Sequence, residues 1–250
     1  MGVFMESLNK KNFNKINDGS FKSYNEFCKY LEDNNLFLDF FYIDMDNIIN
    51  KVWYIEDFIT YPLFNISKRF FDMLNLPEVI RLRREYLLEL KNKRKYVSMF
   101  SSIEKCFRIS YFLNLYKEIN SEEFIDLFSY VYSNSEYNFD KLLEEDVMEK
   151  LIKSKDTIKI KKILNKEFRI TDEIITIYRG EADKSTPYNE GAISWTLDYN
   201  IAKFFANRFN AENPRIYKAK VNINDILLFI DREKELLVES KNLIEISLLD

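Results

Sequence analysis

The chain has 250 residues, of which 46% are hydrophobic and 31% are charged, and its formal net charge is −4. These values fit a globular protein with a buried core and give no global electrostatic reason to expect nucleic-acid binding. The sequence contains no histidine, which excludes histidine-based catalytic triads, histidine general bases and zinc sites that contain histidine. Any catalysis must therefore depend on carboxylates, hydroxyls, tyrosine, lysine or arginine.

The first segment, residues 1–20, is polar and is predicted to be a leader. It lacks the apolar core of a secretory signal. No apolar run in the sequence reaches the roughly 18 residues that a membrane-spanning helix needs. We therefore expect a cytoplasmic protein with no membrane partner.

Residues 21–168 are predicted to form a mostly helical region. Apolar residues recur at helical spacing after Pro77, and Ser121 followed by two acidic residues is typical of a helix start. A basic cluster follows Pro77. We expect it to be a solvated helix face with i,i+4 ion pairs; the alternative is a surface that presents a target such as RNA. Its members are Arg81, Arg83, Arg84, Lys91, Lys93, Arg94 and Lys95.

Two further groups of residues in this region are expected to be buried. Cys28 and Cys106 fit no metal-binding spacing, and free cysteines are usually buried. The aromatic residues lie among aliphatic residues at helical spacing, which favours a core over a stacking platform. They include Phe37, Phe40, Phe41, Tyr42, Trp53, Tyr54, Phe70 and Phe71.

The character of the sequence changes near residue 170. Residues 174–178 are β-branched and aromatic, which is typical of a strand, and residues 183–191 carry loop-forming residues. Asp198 is predicted to cap a helix. Further strands are predicted over 192–196, 216–221, 227–230, 236–238 and 243–248. The sequence therefore predicts an α+β protein, with the helical region packed on a β-rich domain over residues 169–250.

Three short motifs in the C-terminal domain contain the residues that could bind a ligand or take part in catalysis. They are Tyr178-Arg179-Gly180, Ser194-Trp195-Thr196 and Glu233-Lys234-Glu235. The chain has only four glycines. A glycine directly after an arginine indicates a position where the backbone needs a positive φ or where another group approaches the backbone closely. Trp195 alternates with its two hydroxyl-bearing neighbours and is expected to lie in the core.

In this order the motifs resemble those of mono-ADP-ribosyltransferases of the arginine–serine–glutamate class, which includes bacterial toxins and phage-related effectors. The resemblance covers residues 169–250. It implies a glycosyltransferase that uses NAD as its substrate, needs no metal and transfers ADP-ribose to a macromolecular acceptor. A glutamate at the first acidic position favours protein arginine as the acceptor, with nucleic acid as the alternative. A toxin or phage-defence setting with an antitoxin or regulator as partner is implied by the same analogy.

The resemblance also implies which residues bind NAD. Arg179 would present its planar, permanently charged guanidinium to a phosphate of NAD. Gly180 would let backbone groups reach the nicotinamide amide, and Thr196 would support the nicotinamide-binding strand. The full implied set is Tyr178, Arg179, Gly180, Ser194, Thr196, Phe209 and Arg215.

The catalytic residues implied by the resemblance are Glu235, Glu233, Ser194 and Arg179. Glu235 would stabilise the positive charge that forms on the ribose when nicotinamide leaves, and Ser194 would hydrogen-bond to it. Glu233 would orient or deprotonate the acceptor, and in an extended segment it would face the same side as Glu235. The alternative is a solvated charged loop. Glu239 is a lower-ranked competitor for the catalytic position.

Two other functions remain as alternatives. An NAD glycohydrolase would use the same residues with water in place of the acceptor. A non-enzymatic interaction module would carry the motifs by chance and would not bind NAD.

Overall fold

The computed structural model describes residues 13–45, 52–63, 73, 75–136, 139–183 and 185–249. The chain divides into two units, one formed by residues 1–119 and 126–142 and the other by residues 120–125 and 143–250. Helices and two antiparallel sheets make up the described part, so the predicted α+β class is confirmed. No helix within these residues is both long enough and apolar enough to cross a membrane.

The first unit contains a four-stranded antiparallel sheet in the order β1-β2-β3-β4. Its strands are β1 (Phe13–Lys15), β2 (Phe41–Asp44), β3 (Val52–Glu56) and β4 (Ile59–Leu63). Residues 41–43 of β2 and 52–55 of β3 are all buried. Both faces of this part of the sheet are therefore covered by other residues.

These strands correct the prediction of a helical region over residues 21–168, which was wrong for residues 41–44, 52–56 and 59–63. Residues 13–15, predicted as part of the leader, also form a strand. Strands that are buried on both faces lack the apolar–polar alternation by which a half-buried strand is recognised. Residues 1–12 of the predicted leader lie outside the described residues.

In the described residues of this part of the chain, the helices with defined bounds are α1 (Tyr24–Asp33), α2 (Leu76–Asn92), α3 (Tyr96–Ser101), α4 (Arg108–Leu115) and α5 (Ser121–Asn134). Two of them begin as predicted. Pro77 lies in the first turn of α2, and Ser121 is the first residue of α5.

The basic cluster on and after α2 matches the first interpretation in part. Arg81 and Lys93 form the expected i,i+4 ion pairs, whereas Arg83 and Arg84 are half-buried and pair with acidic residues 21 and 28 positions away. Each of four members has an acidic partner, so its charge is neutralised locally. This weakens the alternative of a surface that presents RNA, which would need unpaired cations. The pairs are Arg81 with Glu78 and Glu85, Arg83 with Glu104, Arg84 with Glu56, and Lys93 with Glu89.

The predictions of burial in this region are confirmed in part. Phe37 is exposed, which contradicts its assignment to the core, and Phe40 is half-buried. Cys28 and Cys106 are both free and half-buried rather than fully buried. Phe70 and Phe71 lie outside the described residues. The aromatic residues confirmed as buried are Phe41, Tyr42, Trp53 and Tyr54.

The second unit is built around a six-stranded antiparallel sheet in the order β10-β7-β5-β6-β9-β8. Its helices are α6 (Glu145–Ser154), α7 (Thr157–Phe168) and α8 (Tyr199–Ala206). The strands agree closely with the predicted positions. They are β5 (Ile174–Glu181), β6 (Ser194–Thr196), β7 (Arg215–Asn222), β8 (Leu228–Ile230), β9 (Glu235–Leu237) and β10 (Leu243–Leu249).

Apolar clusters formed by described residues cover this sheet. In the larger one, Ile160 and Leu164 of α7 pack with Ile177 and Trp195 of the sheet, so Trp195 lies in the core as predicted. In the smaller one, α8 packs against β5 and β7. Successive residues of β5 alternate between the two sides. The predicted domain boundary at 168/169 falls inside this unit, which also contains α6 and α7.

Candidate active site

The three motifs are brought together on neighbouring strands of the second sheet. Tyr178 on β5 pairs with Thr196 on β6, and Thr196 pairs in turn with Glu235 on β9. Directly opposed residues of antiparallel strands share a face. The side chains of Tyr178, Thr196 and Glu235 therefore start from the same face of the sheet, although they are far apart in the sequence.

Ser194 and Glu235 are joined by a hydrogen bond, in which the Ser194 hydroxyl donates to Oε1 of Glu235. Both residues are half-buried. Glu235 is the first residue of β9, where the chain leaves a turn and enters the sheet. A carboxylate held at one oxygen by a neighbouring hydroxyl has a defined orientation.

The turn before Glu235 is fixed by contacts with the end of β6 and the residues that follow it. The Thr196 hydroxyl donates to the backbone carbonyl of Glu233 at 2.9 Å and accepts from the backbone N–H of Asp198 at 3.1 Å. The Lys234 ammonium lies 2.7 Å from Oδ2 of Asp198. This hydrogen bond, with one from the Asn200 backbone N–H, lowers the pKa of the Asp198 carboxyl.

The expectation that Glu233 lies on an extended segment beside Glu235 was wrong. Asp231–Glu233 form a 3₁₀ turn, and Lys234 has a left-handed conformation with φ of +48°. Because β9 begins only at Glu235, the alternation of an extended chain does not apply to Glu233. The backbone carbonyl of Glu233 accepts a hydrogen bond from the Thr196 hydroxyl, and the Glu233 side chain is half-buried.

Arg179 connects three parts of the site through one guanidinium group. Its Nε donates to Glu181 at 3.0 Å, Nη1 donates to the backbone carbonyl of Ser194 at 2.7 Å, and Nη2 donates to that of Thr186 at 2.7 Å. The side chain is 11% exposed. Among the described residues, β5 and β6 share one ladder pair, Tyr178 with Thr196. The bond from Arg179 to the carbonyl of Ser194 is a second connection between these two strands.

Glu181 is a residue of this site that the sequence interpretation missed. Its side chain is 0% exposed, and Oε1 accepts from Arg179 and from the backbone N–H of Tyr188 at 2.6 Å. Its Oε2 lies 3.5 Å from Nη2 of Arg215. The signal in the sequence was the spacing, since residues 179 and 181 of one strand face the same side.

Gly180 has a packing function that is separate from any ligand. A Cβ atom at this position would lie 1.8 Å from the carbonyl oxygen of Ala202 and 2.6 Å from the backbone nitrogen of Ala206. Helix α8 therefore lies directly on the backbone of β5. Tyr178 faces the same helix, with its ring centroid 5.7 Å from that of Tyr199.

The loop between α8 and β7, which contains Phe209 and ends at Arg215, is hydrogen-bonded to the loop after β5. Asp183 accepts from the backbone N–H groups of Glu212 and Asn213 at 2.8 and 2.9 Å, which lowers the pKa of its carboxyl. Arg215, whose side chain is 44% exposed, lies beside Glu181. Phe209 is 88% exposed and has a left-handed backbone with φ of +58°.

The predicted residues therefore form one connected group and several outlying ones. Arg179, Ser194 and Glu235 are linked by hydrogen bonds, and Thr196 holds the backbone of Glu233. Arg215 joins this group through Glu181. The ring of Phe209 packs 5.0 Å from the guanidinium of Arg208. The competitor Glu239 is paired with Lys241 at 3.0 Å.

Within the described residues, no group of three or more metal-ligating side chains is arranged to hold a metal ion. No protein-family model, curated protein or solved structure was found to match the chain. A functional assignment therefore depends on the residues of the site and the contacts between them.

Proposed function

We propose that the chain is an NAD-dependent mono-ADP-ribosyltransferase that transfers ADP-ribose to a macromolecular acceptor. The observation that carries the proposal is the hydrogen bond from Ser194 to Glu235, with Arg179 bonded to the carbonyl of the same serine. These three residues come from three separate motifs. Their order matches the class that the motifs resemble, and their contacts connect them in one site.

Glu235 is proposed to stabilise the transition state. Breaking the bond between nicotinamide and ribose leaves positive charge on the ribose, and a preorganised carboxylate next to that charge lowers the barrier. Ser194 holds one carboxylate oxygen, so the group does not need to reorient during the reaction. Partial burial also reduces the screening of the carboxylate by water.

Arg179 fits a contact with a phosphate of NAD. A guanidinium carries five N–H donors, and three donors of Arg179 have acceptors among the described residues. Each Nη atom carries a second N–H group, and guanidinium N–H groups are strong donors to phosphate oxygens. Because the group is already held by three acceptors, little conformational entropy is lost when the ligand binds.

Glu233 is proposed to act on the acceptor. Its turn is fixed by the Thr196 hydroxyl and by the ion pair between Lys234 and Asp198. A carboxylate on such a turn can orient or deprotonate an incoming nucleophile. In the class that the motifs resemble, glutamate at this position accompanies protein arginine as the acceptor, so we favour arginine over nucleic acid. The biological setting proposed from the same resemblance is a toxin or phage-defence effector controlled by an antitoxin or regulator.

One observation favours the alternative of a non-enzymatic module. Arg179 and Gly180 each have a structural explanation, the first as a clamp between strands and the second as a contact with α8. A module of this kind would show no change in melting temperature with NAD, whereas a transferase or a glycohydrolase would be stabilised by it.

The test is nicotinamide release from NAD labelled in its ADP-ribose part, with and without cell lysate, by the wild type and by Glu235→Gln. The expected result is release that falls by a factor of about 10² or more in the variant, with label transferred to protein. Glu239→Gln removes a carboxylate four residues further along the chain that is paired with Lys241, and this variant should retain activity.

The other outcomes separate the alternatives. Release without transferred label would identify a glycohydrolase. Label on nucleic acid would change the acceptor but keep the transferase. A folded wild type that neither releases nicotinamide nor binds NAD would contradict the proposal.

A further inference from the structure

The chain of contacts that ends at Glu235 begins at a buried carboxylate. Glu181 binds Arg179, Arg179 binds the carbonyl of Ser194, and the hydroxyl of Ser194 binds Glu235. The chain crosses three strands, β5, β6 and β9. Each step is a hydrogen bond to a group that is at least partly buried, so each bond fixes the place of the next residue.

Burying a carboxylate at the position of Glu181 lowers the stability of the fold unless its contacts compensate for the lost hydration. Removing an ionised group from water is unfavourable unless charges and hydrogen bonds replace the lost hydration. Here Oε1 receives two donors, and Arg215 lies 3.5 Å from Oε2. In this fully buried position an apolar side chain would avoid the cost, so stability is a weak reason to keep a charge here.

We propose that Glu181 is a positioning residue that acts through Arg179 on the Ser194–Glu235 pair; this inference rests on the proposed function. The bond from Nε to Glu181 fixes the plane of the guanidinium. That plane directs the two Nη atoms at the carbonyls of Ser194 and Thr186. With a neutral acceptor in place of the carboxylate, the bond at Nε loses its charge assistance, so the guanidinium can turn and the bonds to both carbonyls weaken together.

The position of Ser194 is sensitive to this clamp because β6 is weakly attached to β5. Strand β6 has three residues, and one ladder pair, Tyr178 with Thr196, joins the two strands within the described residues. The bond from Arg179 to the Ser194 carbonyl is a second attachment at the other end of β6. All three residues of β6 also pair with β9, so loss of this attachment would leave that register in place but would loosen the end of β6 from which the Ser194 hydroxyl reaches Glu235.

Glu181 also holds the loop that follows β5. It accepts from the backbone N–H of Tyr188, while Arg179 donates to the carbonyl of Thr186. The same carboxylate therefore orders this loop and the guanidinium. A ligand that contacts Arg179 would therefore bind beside a loop and a strand, β6, whose positions are fixed before it binds.

The experiment compares Glu181→Gln with Glu245→Gln in the full chain. Glu245 lies on β10 of the same sheet and pairs with Lys220 at the surface, so its variant makes the same charge change away from the site. Nicotinamide release from NAD is measured over a range of NAD concentrations. We expect kcat of Glu181→Gln to fall by about 10-fold or more, as for partners that orient the ligands of a metal, and Glu245→Gln to match the wild type.

A double variant tests the route of the effect. If Glu181 acts through Ser194, then Glu181→Gln combined with Ser194→Ala is as fast as Ser194→Ala alone, within a factor of about two. If the rate losses of the two single variants instead multiply in the double variant, Glu181 does not act through Ser194. Activity of Glu181→Gln equal to that of Glu245→Gln would overturn the inference itself and leave the proposed function in place. An inactive wild type would instead overturn the proposed function and, with it, this inference.

Amide hydrogen exchange gives a readout that does not depend on turnover. In Glu181→Gln we expect faster exchange at Tyr188 and in residues 194–196, with no change in Glu245→Gln. Unchanged exchange in residues 194–196 would also overturn the inference. If Glu181→Gln does not fold, Glu181→Asp keeps the buried charge but draws it back by one methylene, and the same results are expected from it.

Discussion

Three glutamates of the candidate site lie in three different environments. Glu235 is half-buried and receives a hydroxyl hydrogen bond, Glu181 is fully buried beside two arginines, and Glu233 lies on a fixed turn. Environment decides what a carboxylate can do. The first is suited to charge stabilisation, the second to positioning, and the third to contact with an acceptor.

The bond between Ser194 and Glu235 can be tested by Ser194→Ala. Hydrogen bonds to charged groups contribute about 1.5–3 kcal/mol, so we expect kcat for nicotinamide release to fall roughly 10- to 100-fold. The KM for NAD should change less, because the backbone carbonyl that binds Arg179 remains. Ser247→Ala, an exposed position on β10, is the control. A variant with unchanged kcat would show that the hydroxyl does not position Glu235.

Strand β5 and helix α8 meet through small residues. Gly180 lies against the backbone of α8 at Ala202 and Ala206, and both alanines are fully buried. Asp198 caps the same helix by accepting from the backbone N–H of Asn200 at 2.9 Å, and it also holds Lys234 in the turn before Glu235. The placement of α8 is therefore coupled to the placement of that turn.

This packing predicts a large effect for Gly180→Ala. The new Cβ would meet backbone atoms of α8, which cannot move without the helix, and overpacking of this kind costs about 3 kcal/mol. Urea denaturation followed by circular dichroism measures the loss. Gly191→Ala is the comparison, because Gly191 has φ of +92° and open space around a Cβ, so its cost of about 1–2 kcal/mol would come from the backbone. Equal losses in the two variants would argue against close packing at Gly180.

The predicted site residues all lie in the second unit, residues 120–125 and 143–250. The first unit has its own sheet and its own aromatic core, with Trp53 packed against Phe107 at 5.4 Å. Cys106 is next to that core. Burial, and then the charges of Glu104 and Glu136, raise the pKa of its thiol to about 12.

The raised pKa makes Cys106 a probe of folding in the first unit. The thiolate is the reactive form, and at pH 8 its fraction is on the order of 10³-fold lower than for an unperturbed thiol. We expect slow alkylation of Cys106 by iodoacetamide in the native protein and fast alkylation in urea, followed by mass spectrometry of the labelled peptide. Cys106→Ser identifies the signal from Cys28. Fast labelling of Cys106 in the native protein would contradict the assigned environment.

The sequence by itself determined the elements of the second sheet and, apart from Glu181, the residues from which the candidate site is built. Strands β5 and β7, the cap at Asp198 and the core position of Trp195 were predictable because each depends on neighbouring residues along the chain. The sheet of the first unit was not predictable, because the residues of β2 and β3 are buried on both faces and show no alternation.

Only the tertiary structure decided how the site is connected. The clamp of Arg179 on Ser194, the buried carboxylate of Glu181 and the contact of Gly180 with α8 all join residues that are separated along the chain. The conformation of Lys234 likewise overruled the extended geometry expected for Glu233. Local patterns carry information about the neighbours of a residue, whereas hydrogen bonds between strands and close backbone contacts arise only when the sheet and helix have assembled.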